Sequence, residues 1–189
     1  MDRMILGLDM DNVICQYTKA LAVVYAREKG INVEDVPEPD SWGFGNWDIG
    51  AEGFLHYHKI LMENGHSGIK PLEEAAAVIR ALSEGGHRIR VITQRASATI
   101  FSCDRRHKVA QDTVEWLNAN DIHYDDLCFV YSKTDVRADL YFDDGPHHIE
   151  DFMREGLNYV IMDYEYNRHL DGPRVSTWKE FEEVVRGRD

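Results

Sequence analysis

Two aspartates stand one residue apart directly behind the first apolar run of the chain. Asp9 and Asp11 lie within "LGLDMDNVIC", residues 6–15. In an extended segment residues two apart face the same side, so both carboxylates are expected on one face. Aspartates also follow strands as helix caps, so this pair has a chemical meaning only together with other polar residues.

Such residues follow the later apolar segments. Thr93, Lys133 and the pair Asp143 and Asp144 each come at the predicted carboxyl end of a strand. If the sheet is parallel, these groups meet the first two aspartates at one edge. Two like charges about 4 Å apart repel by roughly 4 kcal/mol at an effective dielectric of 20, so the cluster needs a cation. Oxygen-only ligands favour Mg²⁺.

This set of residues suits phosphoryl transfer. With a cation in place, the carboxylate of Asp9 is free to attack phosphorus and form an aspartyl-phosphate. Asp11, on the same face, can protonate a leaving group held over Asp9. Thr93 and Lys133 can hold the phosphoryl oxygens. The sequence therefore predicts a phosphomonoester hydrolase.

The elements that must position these residues alternate between strand and helix. Short, mostly continuous apolar runs predict buried parallel strands at 4–9, 88–93, 127–131, 139–143 and 158–162. Helical patterns lie at 72–84, 107–119 and 147–155. The first of these follows Pro71 and ends at Gly85, and Thr177 with Glu180 forms a capping-box signature before a last helix. The alternation predicts an α/β fold, a three-layer α/β/α sandwich with a central parallel sheet.

A long segment between the first two strands interrupts this alternation. It begins with an amphipathic helix at 14–29, continues through an irregular stretch rich in glycine and aromatic residues, and has a second helical pattern at 54–65. Linkers lack such aromatic density, so the segment predicts a small, mainly helical cap. The predicted phosphatase core comprises residues 1–13 and 71–189, and the inserted segment comprises residues 14–70.

Composition excludes several classes of function. The formal net charge of −13 argues against binding of a nucleic acid polymer, which needs clustered Lys and Arg. No apolar run of membrane-spanning length and no signal-peptide pattern occurs, so no membrane partner and a cytoplasmic location are expected. The 3 cysteines have no spacing typical of a disulfide framework or a zinc site.

The strand-end residues resemble the four motifs of the haloacid dehalogenase (HAD) superfamily, in order and over nearly the whole chain. The motifs are Asp9-Met10-Asp11-Asn12-Val13, then Thr93, Lys133 and Asp143-Asp144. Within that superfamily, three segments resemble the 5'(3')-deoxyribonucleotidase family. They are "KPLEEAAAVIRALSEGGHRIRVIT", "SKTDVRADLYFDD" and "RVSTWKEFEEVV".

The resemblance implies a Mg²⁺-dependent phosphatase that acts on a nucleoside monophosphate. Asp9 would be the nucleophile and Asp11 the general acid and then the general base. Asp144 would be the more direct metal ligand, with Asp143 nearby. Asp9 and the backbone carbonyl of Asp11 would complete the set of metal ligands that the protein provides. A homodimer is left open.

Further residues are matched to phosphate and substrate binding. Thr93 and Lys133 would bind phosphate, Gln94 stands where the family has a phosphate-binding serine, and Lys108 matches another lysine near the phosphate. Lys108 lies in a basic cluster that equally suits a solvated helix start. The implied substrate contacts are Tyr17, Trp42, Phe44 and Trp47. Tyr17 also lies at helical spacing with other apolar residues, so a position in the core suits it as well.

Asn12 and Gly145 also depart from the family pattern, since glycine usually follows the second aspartate and a basic residue often follows the aspartate pair. Two other functions compete. One is a HAD phosphatase for another small phosphorylated metabolite. The other is a phospho-accepting signalling domain, against which the inserted segment and Asp11 both speak.

Overall fold

Parallel strands form one sheet at the centre of the fold. The computed structural model describes residues 3–64, 66, 68–97 and 103–188. In these ranges the strands are β1 Ile5–Leu8, β2 Arg88–Thr93, β3 Asp126–Phe129, β4 Leu140–Asp143, β5 Tyr159–Met162 and β6 Arg174–Val175. Their order is β3-β2-β1-β4-β5-β6 and every neighbouring pair is parallel.

Helices connect and cover these strands. They are α1 Tyr17–Lys29, α2 Gly50–Glu63, α3 Ala75–Glu84, α4 Cys103–Ala119, α5 Pro146–Glu155 and α6 Trp178–Arg186. The predicted α/β sandwich around a parallel sheet is confirmed. Over the ranges given above, no helix has both the length and the apolar character needed to cross a bilayer.

Several predicted helix starts differ from the structure. The helices predicted from residues 14, 54 and 107 begin at Tyr17, Gly50 and Cys103.

Two further differences have a local cause. The short strand β6 was not predicted, because it has only 2 residues and one of them is an arginine. The helix predicted from residue 72, with Pro71 at its first position, begins only at Ala75. Leu72 N donates to Ile14 O at 2.8 Å, which holds this stretch extended, and Glu74 then takes a left-handed φ of 66°. Proline at a first helical position occurs instead in α5, at Pro146.

The inserted segment leaves and rejoins the sheet at adjacent points. Cys15 forms an isolated antiparallel bridge with Pro71, and Gln16 N donates to Lys70 O at 2.8 Å. Between these points, α1 and α2 pack together, with the ring centroid of Tyr25 4.9 Å from Trp47 and 5.4 Å from Tyr57. The boundaries 14 and 70 stay a prediction.

An aromatic cluster anchors the last helix to the centre of the sheet. Phe142 of β4 stacks on Phe181 with ring centroids 4.0 Å apart, and Trp178 meets the same ring edge-on at 5.3 Å. Trp178 Nε1 also donates to Val13 O at 2.9 Å. Because this hydrogen bond reaches the loop after β1, α6 supports the segment that carries Asp9 and Asp11.

Replacing Trp178 by alanine tests this anchor. We expect Trp178→Ala to lower the free energy of unfolding by about 3–5 kcal/mol, since it leaves a cavity and strips the Val13 carbonyl of its donor. Urea unfolding followed by circular dichroism measures the change. Val23→Ala on α1, where the side chain is 55% exposed, is the control and should stay within about 0.5 kcal/mol of wild type. A loss below 1 kcal/mol for Trp178→Ala contradicts the anchor.

Candidate active site

A cavity of about 580 Å³ opens at the carboxyl ends of the central strands. Asp9 follows β1, Thr93 ends β2 and Asp144 follows β4, and all three line the cavity. From β1 the chain proceeds outward to β2 and β3, and from β4 it proceeds in the opposite direction to β5 and β6. The connections therefore diverge between β1 and β4. Such a divergence leaves a crevice beyond the strand ends, where ligands of open α/β sheets bind.

Three buried carboxylates meet at this edge. Asp9, Asp143 and Asp144 each offer an oxygen, and these oxygens lie within 4.8 Å of one another. Lys133 Nζ is 2.6 Å from Asp9 Oδ1 and 2.6 Å from Asp143 Oδ2. One ammonium cannot balance three carboxylates, and hard oxygen ligands are those that divalent cations such as Mg²⁺ prefer. The donor set therefore fits a divalent metal ion.

The pKa values of the three carboxyl groups reflect their burial and the charges around each of them. Burial raises the pKa of Asp9 well above its usual value, although the charge of Lys133 opposes the effect. Burial, and then the charge of Asp143, raises the pKa of Asp144 to about 7. Burial alone would raise the pKa of Asp143, but the charge of Lys133 and the hydrogen bonds from Lys133 and the Gly145 backbone are among the effects that together outweigh it, so this pKa lies below its usual value. A bound cation would favour the charged form of all three.

Asp11 lies in a different electrostatic environment. Arg95 Nε donates to Asp11 Oδ1 at 3.0 Å and to Oδ2 at 3.1 Å, and Nη2 donates to Oδ1 as well. Burial alone would raise the pKa of Asp11, but the charge and hydrogen bonds of Arg95 outweigh it and lower the pKa. Asp11 is therefore held as a carboxylate, separate from the cluster that Lys133 serves.

Arg95 is a cavity residue that the sequence analysis did not single out. It lies on the short 3-10 turn Arg95–Ser97 after β2, it is only 3% exposed, and it lines the cavity. Its Nη2 is also 3.2 Å from Cys15 Sγ, while its Nη1 has no hydrogen-bond partner in the described part of the chain. The only available signal was its place two residues after Thr93.

The predicted substrate residues separate into two groups. Those that line the cavity are Tyr17, Trp42, Phe44, Thr93, Gln94 and Lys133. Trp47 does not; it is 3% exposed, packs against Tyr25 and Phe44, and donates through Nε1 to Pro37 O at 2.8 Å. It therefore belongs to the interior of the inserted segment.

Lys108 also lies outside the cavity lining. Its Nζ pairs with Asp112, one turn further along α4, and its side chain is 63% exposed. This placement agrees with the alternative of a solvated helix start, and its phosphate role stays a prediction. Tyr17, by contrast, fits both the core position and the substrate contact. It is buried, and its hydroxyl lies 2.7 Å from His58 Nδ1 at the cavity wall.

The departures from the family pattern have local explanations. Asn12 has a left-handed φ of 57°, a backbone conformation that glycine adopts freely and asparagine tolerates. Gln94 Nε2 donates to the carbonyl of Tyr131, which closes one side of the cavity. Gly145 N donates to Asp143 Oδ1 at 3.0 Å, so this position supports the acidic cluster through its backbone.

Comparison with known proteins identifies the family. Residues 3–189 match the family described as "5' nucleotidase, deoxy (Pyrimidine), cytosolic type C protein". The chain belongs to this family. A relative from Chlorobaculum tepidum, named "Putative 5'(3')-deoxyribonucleotidase", is 30% identical over 186 residues, which are 96% of this chain and 90% of the relative.

Solved structures show the same HAD fold for this nucleotidase. A HAD family hydrolase from Deinococcus radiodurans with bound phosphate and sodium has a TM-score of 0.61 at 11% identity, over 97% of this chain and 95% of that one. A Bacillus subtilis HAD hydrolase bound to magnesium has a TM-score of 0.56 at 12% identity, over 98% and 99%. With the family match, the nucleotidase is an enzyme, a phosphatase of the 5'-nucleotidase type.

Removing the guanidinium tests the separate environment of Asp11. We expect Arg95→Gln to raise the pKa of Asp11, because the charge that favours its ionised form is lost. Carboxyl ¹³C NMR titration of the metal-free protein measures this. Arg80→Gln, which removes an exposed partner of Asp121, is the control and should leave the pKa of Asp11 in place. An unchanged pKa in Arg95→Gln contradicts the pairing.

Proposed function

We propose that the nucleotidase is a Mg²⁺-dependent 5'(3')-deoxyribonucleotidase that works through an aspartyl-phosphate. The observation that carries this proposal is the position of Asp9, a buried carboxylate at the end of β1 with Lys133 Nζ at 2.6 Å and two further carboxylates beside it. The name of the Chlorobaculum tepidum relative and the description of the family support the substrate class.

The residues that would hold Mg²⁺ are Asp9, Asp143 and Asp144, whose carboxylate oxygens lie within 4.8 Å of one another. The backbone carbonyl of Asp11 joins them on the strength of the family resemblance. When bound, Mg²⁺ offsets the repulsion between these carboxylates and an incoming phosphate and polarises the phosphoryl oxygens. Lys133 alone cannot do this, because two of the carboxylates already share its ammonium.

In the first step Asp9 attacks phosphorus and the ester bond to the leaving oxygen breaks. That oxygen takes a proton from Asp11, and the phosphoryl group stays on Asp9 as a mixed anhydride. In the second step water attacks the phosphoryl group and gives its proton to Asp11, which releases phosphate and frees Asp9. Because Asp11 is a carboxylate while it is paired with Arg95, it must leave that pairing and take up a proton from solvent before the first step, and the proton it accepts from water in the second step makes it an acid again.

The phosphoryl oxygens need donors that neither carboxylate provides. Thr93, 1% exposed at the end of β2, offers its hydroxyl, and Lys133 offers its ammonium. Gln94 stands beside them at the cavity wall, and we also assign it to phosphate binding. Preorganised donors of this kind stabilise the charge that develops on the equatorial oxygens.

The walls of the cavity support the proposed substrate class. Trp42 is 45% exposed and lies with Phe44 and Phe54 on the inserted segment, opposite the strand ends. Phe44 stacks on Phe54 with ring centroids 5.5 Å apart, so this wall is largely aromatic. Stacking of a base on an aromatic side chain contributes about 1–3 kcal/mol. A nucleoside monophosphate would fill this cavity with its phosphate at Lys133 and its base at Trp42.

Three further assignments belong to the proposal. The catalytic core comprises residues 1–13 and 71–189, and residues 14–70 form the cap that selects the substrate. The cytosolic term in the family description supports a cytoplasmic location. The partner is a small phosphomonoester and not a nucleic acid polymer, in keeping with the formal charge of −13. A homodimer stays a prediction.

Replacing the proposed nucleophile tests the chemistry. We expect Asp9→Asn to lower phosphate release by at least about 10³-fold, because the amide cannot form the anhydride. The assay uses a panel of nucleoside monophosphates and sugar phosphates, with Mg²⁺ and with EDTA. Asp121→Asn, an exposed aspartate paired with Arg80, is the matched control and should keep wild-type turnover.

The outcomes of this panel are separable. Retained turnover in Asp9→Asn overturns the nucleophile, and full activity in EDTA overturns the Mg²⁺ dependence. If sugar phosphates are hydrolysed faster than every deoxynucleotide, the substrate class fails while the aspartyl-phosphate chemistry stands.

Trimming the cavity wall tests the base contact. We expect Trp42→Ala to raise the KM for a deoxynucleoside monophosphate by about 5- to 150-fold, the equivalent of 1–3 kcal/mol of stacking, and to change the KM for glycerol 2-phosphate little. Trp42→Phe keeps an aromatic face and is the control. Equal losses with both substrates contradict a base contact at Trp42.

A further inference from the structure

One carboxylate oxygen of Asp144 is bound by two side chains outside the acidic cluster. Asn12 Nδ2 donates to Asp144 Oδ2 at 3.2 Å, and the hydroxyl of Tyr166 donates to the same oxygen. Asn12 Nδ2 also lies 3.0 Å from the Tyr166 hydroxyl, so the three groups form a closed set. All three residues are 5% exposed or less.

The donors are themselves held in place. The Tyr164 hydroxyl donates to Asn12 O at 2.9 Å, and the rings of Tyr164 and Tyr166 stack with centroids 5.2 Å apart and planes at 5°. Asn167 Nδ2 donates to Asp144 O at 2.9 Å, which fixes the backbone of Asp144 as well. The turn Glu165–Asn167 after β5 therefore supports both the main chain and the side chain of Asp144.

Asn12 has contacts in two directions. Its Oδ1 accepts the backbone N–H of Thr18 at 2.9 Å, in the first turn of α1, and its Nδ2 also lies 2.9 Å from Thr18 Oγ1. Glycine could adopt the same left-handed backbone but could make none of these hydrogen bonds. The side chain of Asn12 is therefore available for a role that the backbone conformation does not require.

We propose that Asn12 and Tyr166 are positioning residues that present Asp144 to the metal ion. This inference rests on the Mg²⁺ dependence of the proposed function. With Oδ2 engaged by two neutral donors, the carboxylate is fixed in orientation and its other oxygen is left for the cation. Hydrogen-bond partners of metal ligands set the affinity of such sites, and their loss typically weakens it by 10- to 100-fold.

Isothermal titration calorimetry of Mg²⁺ binding to the full chain, without substrate, tests the proposal. Asn12→Gly removes the amide donor to Asp144 Oδ2 without straining the left-handed backbone, and Tyr166→Phe removes only the hydroxyl donor to the same oxygen. We expect each to weaken Mg²⁺ binding by about 10- to 100-fold, and the double variant to fall short of the product of the two, because both act on one oxygen.

Two matched controls separate positioning from a loss of stability. Thr18→Ala removes the hydroxyl that lies 2.9 Å from Asn12 Nδ2 but no contact of Asp144. Tyr159→Phe removes a hydroxyl that donates to Asp171 O, away from the cluster. Both should keep wild-type Mg²⁺ affinity, whatever they do to the melting temperature of the metal-free protein.

Wild-type Mg²⁺ affinity in folded Asn12→Gly and Tyr166→Phe overturns the positioning role and leaves the proposed function standing. Absence of Mg²⁺ binding by the wild type overturns the metal dependence itself, and this inference with it. If Asn12→Gly does not fold, Tyr166→Phe decides alone, since the ring that packs against Tyr164 is kept.

Discussion

The mutual repulsion of three buried carboxylates is the constraint around which this enzyme is organised. Asp9, Asp143 and Asp144 come together because β1 and β4 are neighbours and end at the same level. Burying an unpaired carboxylate is strongly unfavourable, so each needs a compensating group. Lys133 pairs with Asp9 and Asp143. Asp144 has only neutral donors, and their hydrogen bonds offset only part of the effect of burial and of the Asp143 charge, which together raise its pKa to about 7.

The fourth acid is separated from this cluster by a cation of its own. Asp11 is only two residues from Asp9, yet Arg95 lowers its pKa while burial raises that of Asp9. Like charges at this spacing would otherwise compete for the same ammonium. The two aspartates thus have different partners before any substrate binds, which suits the different roles of nucleophile and proton carrier that the proposed reaction assigns to them.

The sequence predicted the parts of the fold that depend on local patterns. Continuous apolar runs located every strand except β6, and polar residues at strand ends located the carboxylates, Thr93 and Lys133. The predicted start of α3, at residue 72, was wrong because the pairing of Pro71 with Cys15 is a tertiary contact that overrides a local helix signal. Patterns of this kind carry no information about partners that are distant along the chain.

The site residues that were missed have the same explanation. In the sequence, Arg95 is an ordinary charged residue after a strand. Its burial against Asp11 depends on the pairing of β1 with β2, which the local sequence pattern does not show. Tyr166 contacts Asp144 from a turn beyond the next strand. Trp42 and Trp47 share one glycine-rich stretch, and only packing decides that the first lines the cavity while the second is buried against Tyr25 and Phe44.

The inserted segment is linked to the acidic cluster through side chains as well as through its two chain connections to the core. Trp42 rests on Tyr166 with ring centroids 5.5 Å apart, and Tyr166 donates to Asp144. Asn12 joins the same carboxylate to the first turn of α1. Asn12 and Tyr166, which donate to this buried carboxylate, therefore also contact the inserted segment, at α1 and at Trp42 respectively. Displacing α1 relative to the strand ends would disturb the hydrogen bonds that hold Asn12 beside Asp144, and hydrogen bonds in a buried site are costly to leave unmade.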